Sequence, residues 1–478
     1  MPIDEPPVLV AAKAAPVAHE LVDGEVVARL NGSTGSVAGD IASGFAVTVV
    51  ASAATEADIE LTRRHPDGLT VRSAGGRDIS LHLVRHAPET LSPQRYGHVT
   101  ELLWHSMHGL WNGATEPTFD TGSRLAWESL HALNGDIAAA LLRRAGRPGA
   151  VYLVQDYQLS LVPRRLRDAD PDARILYFHH IAWPHPDGLA MLPTTAVDDL
   201  IAGVLAADVV AFFADRWRRQ FLRSVEELVP DARVDHVNAT VAHAGRLTRV
   251  AVEPLSYSTD ALTGLSPRWP AELAGWAGDR PLVVHAGRTD PIKNADRAVA
   301  GFAHAMAQRR SADARLLVRL QPHRLGIAAN ADYRDRVVRA VAEANDRLGE
   351  ERVRLLVDDD RRLTLGCLAR ADVVLVNSVI DGQNLTAFEC SAIGERDPVL
   401  VITPTCGASE VLGADALLVN PFDLIDLATA INEAIDMPAA ERAARAARMR
   451  DAGAHIALSV WAGRQLRLLD RPVTATPG

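Results

Sequence analysis

The stretch Pro281-Leu-Val-Val-His-Ala-Gly-Arg-Thr-Asp-Pro-Ile-Lys-Asn294 decides the fold that this sequence predicts. Its apolar part predicts a parallel strand buried on both faces, its polar centre predicts a loop, and Asn294 marks the start of a helix. In open α/β sheets, ligands bind beyond the carboxyl ends of such strands. Lysine occurs only twice in the chain, at Lys13 and Lys293, although Lys and Arg together number 50. Arg288 and Lys293 in one loop therefore predict a polyphosphate site, with a solvated basic pair as the alternative.

Short apolar runs alternate with segments of helical period along the whole chain, which predicts parallel sheets with crossover helices. The predicted strands of the first half are Val26–Leu30, Ala46–Ala51, Ser80–Arg85, Val151–Gln155, Ile175–His179, Val209–Phe213 and Arg249–Pro254. Those of the second half are Leu282–Ala286, Leu316–Leu320, Val353–Val357, Val373–Val376, Val399–Ile402 and Ala416–Val419. The predicted helices include Asp296–Ala307, Tyr333–Leu348 and Asp423–Ile435.

A break near residues 257–273, where Ser, Thr, Gly and Pro cluster, divides the chain into two halves of similar size. The predicted fold class is α/β, with two doubly wound Rossmann-like domains that face a central cleft. We expect the first domain to span residues 1–258 and the second to span residues 259–450. Residues 451–478 belong to a helical segment rich in Arg and Ala, which we expect to return to the first domain.

The overall composition argues against several classes of partner. A net charge of -10 without a basic stripe argues against nucleic acid or an acidic membrane surface as the main partner. The three cysteines lack metal-ligand spacing and favour a reducing cytoplasm. The first residues lack the pattern of a signal peptide, and the longest apolar stretches are only as long as strands, so no membrane span is expected.

A second candidate site is the stretch Asn377-Ser-Val-Ile-Asp-Gly-Gln-Asn-Leu-Thr-Ala-Phe-Glu389. A strand is predicted to end near Asn377, Asp381 and Gly382 form a turn, and a helix begins near Asn384. The backbone amides at the start of a helix suit an anion, and Glu389 could then reach a ribose diol. A plain βα loop with an Asx turn is the alternative.

Two polar side chains follow predicted strands in the first half. Asp156 comes directly after Val151–Gln155, and His180 comes directly after Ile175–His179. A carboxylate and an imidazole at adjacent strand ends can hydrogen-bond a polyol or transfer a proton. We expect both to face the loop of Arg288 and Lys293, although a lone histidine at a strand end is more often structural.

Two further segments are weaker candidates. The glycine-rich loop from Asn31 to Gly39 follows the first predicted strand, but matches neither a dinucleotide fingerprint nor a P-loop. It could present amides to a diphosphate or simply be flexible. Asp358-Asp-Asp360 has the composition of a metal site, but contiguous aspartates at a strand end are more often a solvated turn, so no metal site is predicted.

These segments, in this order, resemble the trehalose-6-phosphate synthase family of retaining glycosyltransferases over nearly the whole chain. The family has Arg-Leu-Asp-Tyr-Ser-Lys where this chain has Arg288–Lys293, and Asp-Gly-Met-Asn-Leu where it has Asp381–Leu385. It has His-Asp-Tyr-His-Leu at Gln155–Leu159 and His-Ile-Pro-Phe-Pro at His180–Pro184. Further agreement lies at Glu389, Trp127, Asn134, Tyr96–Trp104, Arg324 and Ala416–Pro421.

The resemblance implies the GT-B fold, a retaining transferase, and no cofactor or metal beyond a nucleotide-activated donor. The residues it implies for catalysis are Arg288, Lys293, Asp156 and His180. Those it implies for donor binding are Asp381, Gly382, Gln383, Asn384, Leu385, Thr386, Glu389 and Gly35. Those it implies for acceptor binding are Arg324, Tyr96, Trp104, Asp156 and His180.

The sequence also departs from the family pattern, mostly in loops that contact sugars. The departures are Gln155 and Gln158 for histidines, Ala182-Trp183 for Pro-Phe, Gln383 for methionine, Ile380 for arginine, and Leu255-Ser-Tyr-Ser258 for a Gly-Ile-Asp turn. This pattern resembles a subgroup of pseudoglycosyltransferases, which join GDP-valienol to validamine 7-phosphate through a C–N bond.

The implied partners are a GDP-linked cyclitol donor and a phosphorylated aminocyclitol acceptor, with no nucleic acid and no membrane. The implied location is the cytoplasm, and a homodimer is compatible with the family. One alternative is an ordinary trehalose-6-phosphate synthase that uses a nucleotide-glucose donor and glucose 6-phosphate. The other alternative is a catalytically silent sugar-phosphate-binding regulator.

Overall fold

The computed structural model describes residues 7–30, 41, 47–72, 78–257, 262, 264–308, 313–324 and 327–470. The chain divides into two compact α/β units. One is drawn from Met1–Glu253 with Leu458–Gly478, and the other is Pro254–Ala457.

The main sheet of the first unit has ten strands in the order β10-β11-β12-β9-β8-β7-β1-β4-β6-β5, and β2 and β3 form a separate hairpin. Its central strands, from β12 to β6 in that order, run parallel, while β10, β11 and β5 add antiparallel edges. The strands are β1 (Val8–Ala12), β2 (Val17–Val22), β3 (Glu25–Leu30), β4 (Thr48–Ser52), β5 (Leu69–Arg72), β6 (Asp78–Val84), β7 (Val151–Gln155), β8 (Arg174–His179), β9 (Val209–Phe212), β10 (Arg233–Asp235), β11 (Thr240–His243) and β12 (Arg246–Val252).

The first strand of this sheet is β1, and not Val26–Leu30 as the sequence predicted. Leu9, Val10 and Ala11 of β1 are buried between β4 and β7. Val26–Leu30 is a strand, but it pairs with β2 in the hairpin. The prediction failed because β1 is short and ends in alanines, which have a low strand propensity. The loop from Asn31 to Gly39, with the predicted donor residue Gly35, lies outside the described residues.

Crossover helices connect the parallel strands of the first unit. The longest, α3, begins with a capping box in which Asp120 and Ser123 each accept a hydrogen bond from the other's backbone. It ends at Gly146, whose φ of 66° provides the left-handed cap. The helices are α1 (Glu56–Arg64), α2 (His98–His108), α3 (Thr121–Ala145), α4 (Val162–Ala169), α5 (Pro186–Leu189), α6 (Thr194–Leu205) and α7 (Asp215–Leu228).

The second unit has a six-stranded parallel sheet covered by helices on both faces. Val283 packs in one core cluster and Val284 in the other, because successive residues of a strand point to opposite faces. Its strands are β13 (Leu282–Arg288), β14 (Arg315–Gln321), β15 (Val353–Val357), β16 (Val373–Val376), β17 (Val399–Ile402) and β18 (Leu417–Leu418). Its helices are α8 (Ala271–Ala277), α9 (Ala295–Gln308), α10 (Ala328–Leu348), α11 (Arg361–Arg370), α12 (Leu385–Ile393), α13 (Ser409–Leu412), α14 (Leu424–Asp436) and α15 (Ala439–His455).

The strand order of this sheet, β15-β14-β13-β16-β17-β18, contains a topological switch point. The chain builds β13, β14 and β15 toward one edge and then starts again beside β13 with β16. Ligands of doubly wound sheets bind at the carboxyl ends of the two strands where the order reverses. The loops that follow β13 and β16 are the two stretches that the sequence singled out, at residues 289–294 and 377–384.

The last helical segment is broken into two helices. Helix α15 ends at His455, and α16 (Leu458–Asp470) belongs to the first unit. Ser256 accounts for the break, because its N–H donates to the carbonyl of Ile456 at 3.1 Å and its hydroxyl donates to that of Gly453 at 2.6 Å. Among the described residues, no helix combines the length and the apolar character needed to cross a membrane.

Candidate active site

The loop after β13 is held by its own polar residues. Asp290 caps a single 3₁₀ turn at Pro291–Lys293, and Asn294 follows in the left-handed conformation with a φ of 60°. The side-chain amide of Asn294 donates to the carbonyls of Asn377 and Pro421 at 2.8 and 2.9 Å. These bonds tie the loop of β13 to the loop of β16 and fix the position of Lys293.

Lys293 forms a buried ion pair with Asp381. Its ammonium donates to Asp381 Oδ2 at 2.5 Å, and the two residues are only 9% and 8% exposed. The same oxygen accepts a hydrogen bond from Asn384 at 2.9 Å. Burial by itself raises the pKa of Asp381, but Lys293, Asn384 and Arg288 outweigh it and hold that pKa below its usual value. Within the described residues the pair uses one of the three ammonium donors of Lys293, which leaves two for a ligand.

Arg288 and Arg324 act on the same region as Lys293. The pKa of His323 falls to about 3, because burial disfavours its charged form and the cations of Arg288, Arg324 and Lys293 repel a proton. Thr289 Oγ1 accepts from the His323 N–H at 2.7 Å and donates to its carbonyl at 3.1 Å, which joins the ends of β13 and β14. The charges of Arg288, Arg324 and Lys293 thus all act on His323, and a group of cations of this kind suits an anion such as a phosphate.

Gln383 contacts Leu255, and both positions depart from the family pattern. Its amide nitrogen donates to the carbonyl of Leu255 at 2.6 Å, although 128 positions separate the two residues. Gln383 is 4% exposed, and its Oε1 has no hydrogen-bond partner within the described part of the chain. The side-chain amide at position 383 therefore reaches the backbone of a second altered position, and its buried oxygen is left as an acceptor.

The other residues of the predicted donor-binding stretch differ in burial. Glu389 is 6% exposed and accepts hydrogen bonds from Arg361 through both carboxylate oxygens. A carboxylate offers about four lone-pair sites, so this pair leaves capacity for a diol. Leu385 and Thr386 begin α12 and are partly exposed. A Cβ at Gly407 would come within 2.1 Å of the carbonyl oxygen of the buried Gly382, so glycine is required for this close approach.

The structure brings Asp156 and His180 to neighbouring strand ends, as predicted. Strands β7 and β8 are parallel partners, and both residues follow them directly. Asp156 has a φ of 80°, which is uncommon for a residue other than glycine, and its carboxylate accepts a hydrogen bond from the Tyr157 N–H at 2.8 Å. Backbone strain of this kind clusters at functional sites and supports the interpretation of Asp156 as a binding residue.

His180 is neutral and hydrogen-bonded to Gln155. Its Nε2 lies 2.9 Å from Gln155 Oε1, and the rings of Phe178, Phe213 and Trp461 lie 5.1, 5.2 and 6.0 Å from the imidazole. Burial lowers the pKa of His180 to about 3. So weak a base is poorly suited to take a proton. Of the two roles that the sequence left open, the structure favours hydrogen bonding.

The ring of Tyr96 lies beneath Lys13, a residue to which the sequence analysis gave no role. The ammonium of Lys13, directly after β1, is 5.0 Å from the centre of the Tyr96 ring, a cation–π distance. Trp104 lies on α2, with its ring 6.3 Å from that of Tyr157. The rarity of lysine could have pointed to Lys13, as it did to Lys293. Each of the two lysines follows the first strand of the main sheet of its unit.

Trp183 is part of the core. Its indole N–H donates to Ser224 Oγ at 3.1 Å, it packs against Phe212 and Phe221, and it is 1% exposed. The departure from the family pattern at Trp183 therefore changes the packing of the core.

The three consecutive aspartates have structural partners. Asp358 accepts from Arg319 at 2.7 Å, Asp359 accepts from Gln321, and Asp360 caps α11 through the N–H of Leu363 at 3.0 Å. Within the described ranges, no group of three or more His, Cys, Asp or Glu side chains is placed to hold a metal ion.

Replacing Asp359 by Asn should leave turnover within about twofold, because among the described residues Asp359 is hydrogen-bonded to one side chain, that of Gln321, and the pair is exposed. Initial rates with and without a chelator would measure this. Asp358→Asn is the matched control, because it disturbs a buried arginine and should lower the melting temperature instead. Loss of activity on chelation, restored by a divalent ion, would contradict the expectation that the reaction uses no metal.

Comparison with known proteins identifies the family. Residues 53–471 match Glycosyltransferase family 20. The chain belongs to this family. The resemblance that the sequence motifs carried is thereby confirmed, as is the prediction of a transferase of the glycosyltransferase type.

Relatives within glycosyltransferase family 20 differ in their reactions. The chain is 41% identical over 463 residues to a validamine 7-phosphate valienyltransferase from Streptomyces hygroscopicus subsp. jinggangensis (strain 5008), with 96% of this chain and 93% of that protein covered. It is 28% identical to a trehalose-6-phosphate synthase from Mycobacterium avium (strain 104), with 76% of each protein covered.

Solved structures of the family establish the fold. A UDP-forming α,α-trehalose-phosphate synthase from Burkholderia xenovorans matches with a TM-score of 0.82 at 22% identity, with 99% of this chain and 100% of that chain covered. The predicted GT-B fold class is confirmed.

Proposed function

We propose that this member of glycosyltransferase family 20 is a pseudoglycosyltransferase that joins GDP-valienol to validamine 7-phosphate. The products are GDP and validoxylamine A 7'-phosphate. In the latter, a C–N bond links the two cyclitol rings, and the configuration of the donor carbon is retained. The observation that carries the proposal is the contact of Gln383 with Leu255 beside an intact Lys293–Asp381 pair. The cationic site suited to a diphosphate is kept, while the positions expected beside the donor ring are rebuilt. The 41% identity to a valienyltransferase supports the same conclusion.

The second unit supplies the groups for the departing nucleotide. Arg288 and Lys293 bind the diphosphate and stabilise the charge that develops as the bond between the valienol carbon and the phosphate oxygen breaks. Asp381 is already the counter-ion of Lys293, so it holds that ammonium in a fixed place before the donor arrives. Preorganised charges of this kind need no reorganisation during the reaction.

The C–N bond forms without a nucleophile from the protein. The ring alkene of valienol delocalises the developing allylic cation, and the amine nitrogen attacks from the face that the phosphate leaves. One proton passes from that nitrogen to the leaving phosphate oxygen. His180 has too low a pKa to take this proton, so its proposed role, with Asp156, is to hold hydroxyl groups in place.

Arg324 is the proposed residue for the acceptor phosphate. A charge-assisted hydrogen bond to phosphate contributes about 1.5–3 kcal/mol. Arg324→Ala should therefore raise the KM of the acceptor by roughly one to two orders of magnitude and change the KM of the donor little. Arg334→Ala removes the same charge from a partly exposed position of α10 and is the matched control. The opposite pattern, a large rise in the donor KM alone, would place Arg324 in the donor site.

A coupling assay tests the proposed reaction directly. The protein would be incubated with GDP-valienol and validamine 7-phosphate, and the products would be followed by mass spectrometry and by release of GDP. We expect an amine-linked product with one GDP released for each coupling. Failure to couple this pair, with trehalose 6-phosphate formed in a parallel incubation with a nucleotide-glucose and glucose 6-phosphate, would favour an ordinary synthase, and binding of sugar phosphates without turnover would favour a regulator. The cytoplasmic location and a homodimer stay predictions from the sequence.

A further inference from the structure

Helix α16 contributes a glutamine to the hydrogen bonds around His180. Gln465 is fully buried, and its Oε1 accepts a hydrogen bond from Gln155 Nε2 at 3.0 Å. Gln155 in turn places its Oε1 2.9 Å from Nε2 of His180. The three side chains form one chain of hydrogen bonds across 310 positions of sequence, and all three belong to the first unit.

The direction of these hydrogen bonds determines which nitrogen of the His180 imidazole carries the hydrogen. Gln155 directs its NH₂ group to Gln465, so it presents its carbonyl oxygen to His180. With the amides oriented in this way, the carbonyl oxygen of Gln155 accepts a hydrogen bond and Nε2 of His180 donates it. A neutral imidazole has one N–H, so Nδ1 keeps its lone pair and is an acceptor.

Packing alone does not account for a glutamine at position 465. Its amide nitrogen has no hydrogen-bond partner within the described part of the chain, and a buried donor without a partner destabilises the fold. Apolar neighbours such as Trp461 and Leu468 show what this face of α16 otherwise carries. The only described hydrogen bond that the side chain makes is the one that orients Gln155.

We propose that Gln465 is a positioning residue that acts through Gln155 to fix His180 as the Nε2–H tautomer, so that Nδ1 accepts a hydrogen bond from the substrate. The group it accepts from is a hydroxyl or an amine N–H of the aminocyclitol, which rests on the proposed function. No proton is transferred to His180. Its pKa of about 3 keeps the ring neutral at neutral pH, which is required for an acceptor role.

The tautomer can be measured on the protein without substrate. Protein labelled with ¹⁵N-histidine would give the chemical shifts of both His180 nitrogens, assigned by their loss in His180→Gln. We expect a protonated Nε2 and an unprotonated Nδ1 from pH 5 to pH 8. Protonation on Nδ1, or on both nitrogens, would overturn the proposal, and this outcome requires no variant at position 465.

Three variants of α16 then test the role of the glutamine. Gln465→Met keeps the size and removes the acceptor, so the two tautomers of His180 should become mixed, and kcat should fall about tenfold with an unchanged donor KM. Gln465→Glu keeps an oxygen for Gln155 and should retain the wild-type tautomer. Leu468→Met changes packing on the same helix and should leave the His180 shifts unchanged.

The outcomes separate this inference from the proposed reaction. Wild-type ¹⁵N shifts and kcat in a folded Gln465→Met variant would overturn the role of Gln465 and leave the coupling reaction untouched. If Gln465→Met does not fold, an unchanged Nε2–H tautomer in a folded Gln465→Ala variant would overturn that role in the same way. The expected shifts together with no coupling of the cyclitol pair would overturn the proposed reaction alone.

Discussion

Replacing Lys293 by alanine should lower turnover by about 10²-fold or more. That is the scale of loss when one group that stabilises transition-state charge is removed. The buried pair predicts a second effect, because Lys293→Ala leaves Asp381 without its counter-ion, and an unpaired buried charge costs about 3–5 kcal/mol. Rate measurements and thermal melts on the same preparation would record both effects.

A double variant separates the two effects. Lys293→Ala with Asp381→Asn removes both charges, so the melting temperature should recover most of its loss while turnover stays low. Lys293→Arg keeps the charge but should also be impaired, because a guanidinium is larger and planar and the site is buried. A Cβ at Gly287 would already lie 3.2 Å from Cγ of Lys293, which shows how little space there is. Near-normal rates in Lys293→Ala and Lys293→Arg would contradict the assigned role.

The second large effect is the rejection of ordinary sugars. We expect kcat/KM for the cyclitol pair to exceed that for GDP-glucose or UDP-glucose with glucose 6-phosphate by at least about 10³-fold. A site built around particular polar contacts discriminates strongly against analogues that leave buried groups without partners. Gln383 offers such a contact, since its buried Oε1 has no partner among the described residues and its nitrogen is held by Leu255.

Gln383→Met tests the source of this selectivity. The variant removes both the oxygen and the bond to Leu255, so the preference for the cyclitol pair should fall by about tenfold or more. Gln308→Met makes the same substitution at an exposed position of α9 and is the control. Equal efficiency with glucose substrates in the wild-type chain would instead make it an ordinary synthase, and its departures from the family pattern would lose their explanation.

Much of the fold could be predicted because its signals are local. The run at Leu282–Ala286 is apolar at every position but one, as a strand buried on both faces requires, and it became β13. The loops after β13 and β16 carry family motifs, and both lie at the switch point of the sheet. Strand β1 escaped prediction because five residues ending in alanine carry little periodicity or propensity.

The sequence by itself determined the family, the α/β class and the positions of the cationic loop and its neighbouring strand ends. Only the tertiary structure decided which polar groups meet. The pair of Lys293 with Asp381, the contact of Gln383 with Leu255, and the chain from Gln465 through Gln155 to His180 join residues between 25 and 310 positions apart. Periodicity and spacing report local structure, whereas these contacts depend on which strand ends and helices the folded sheets bring together.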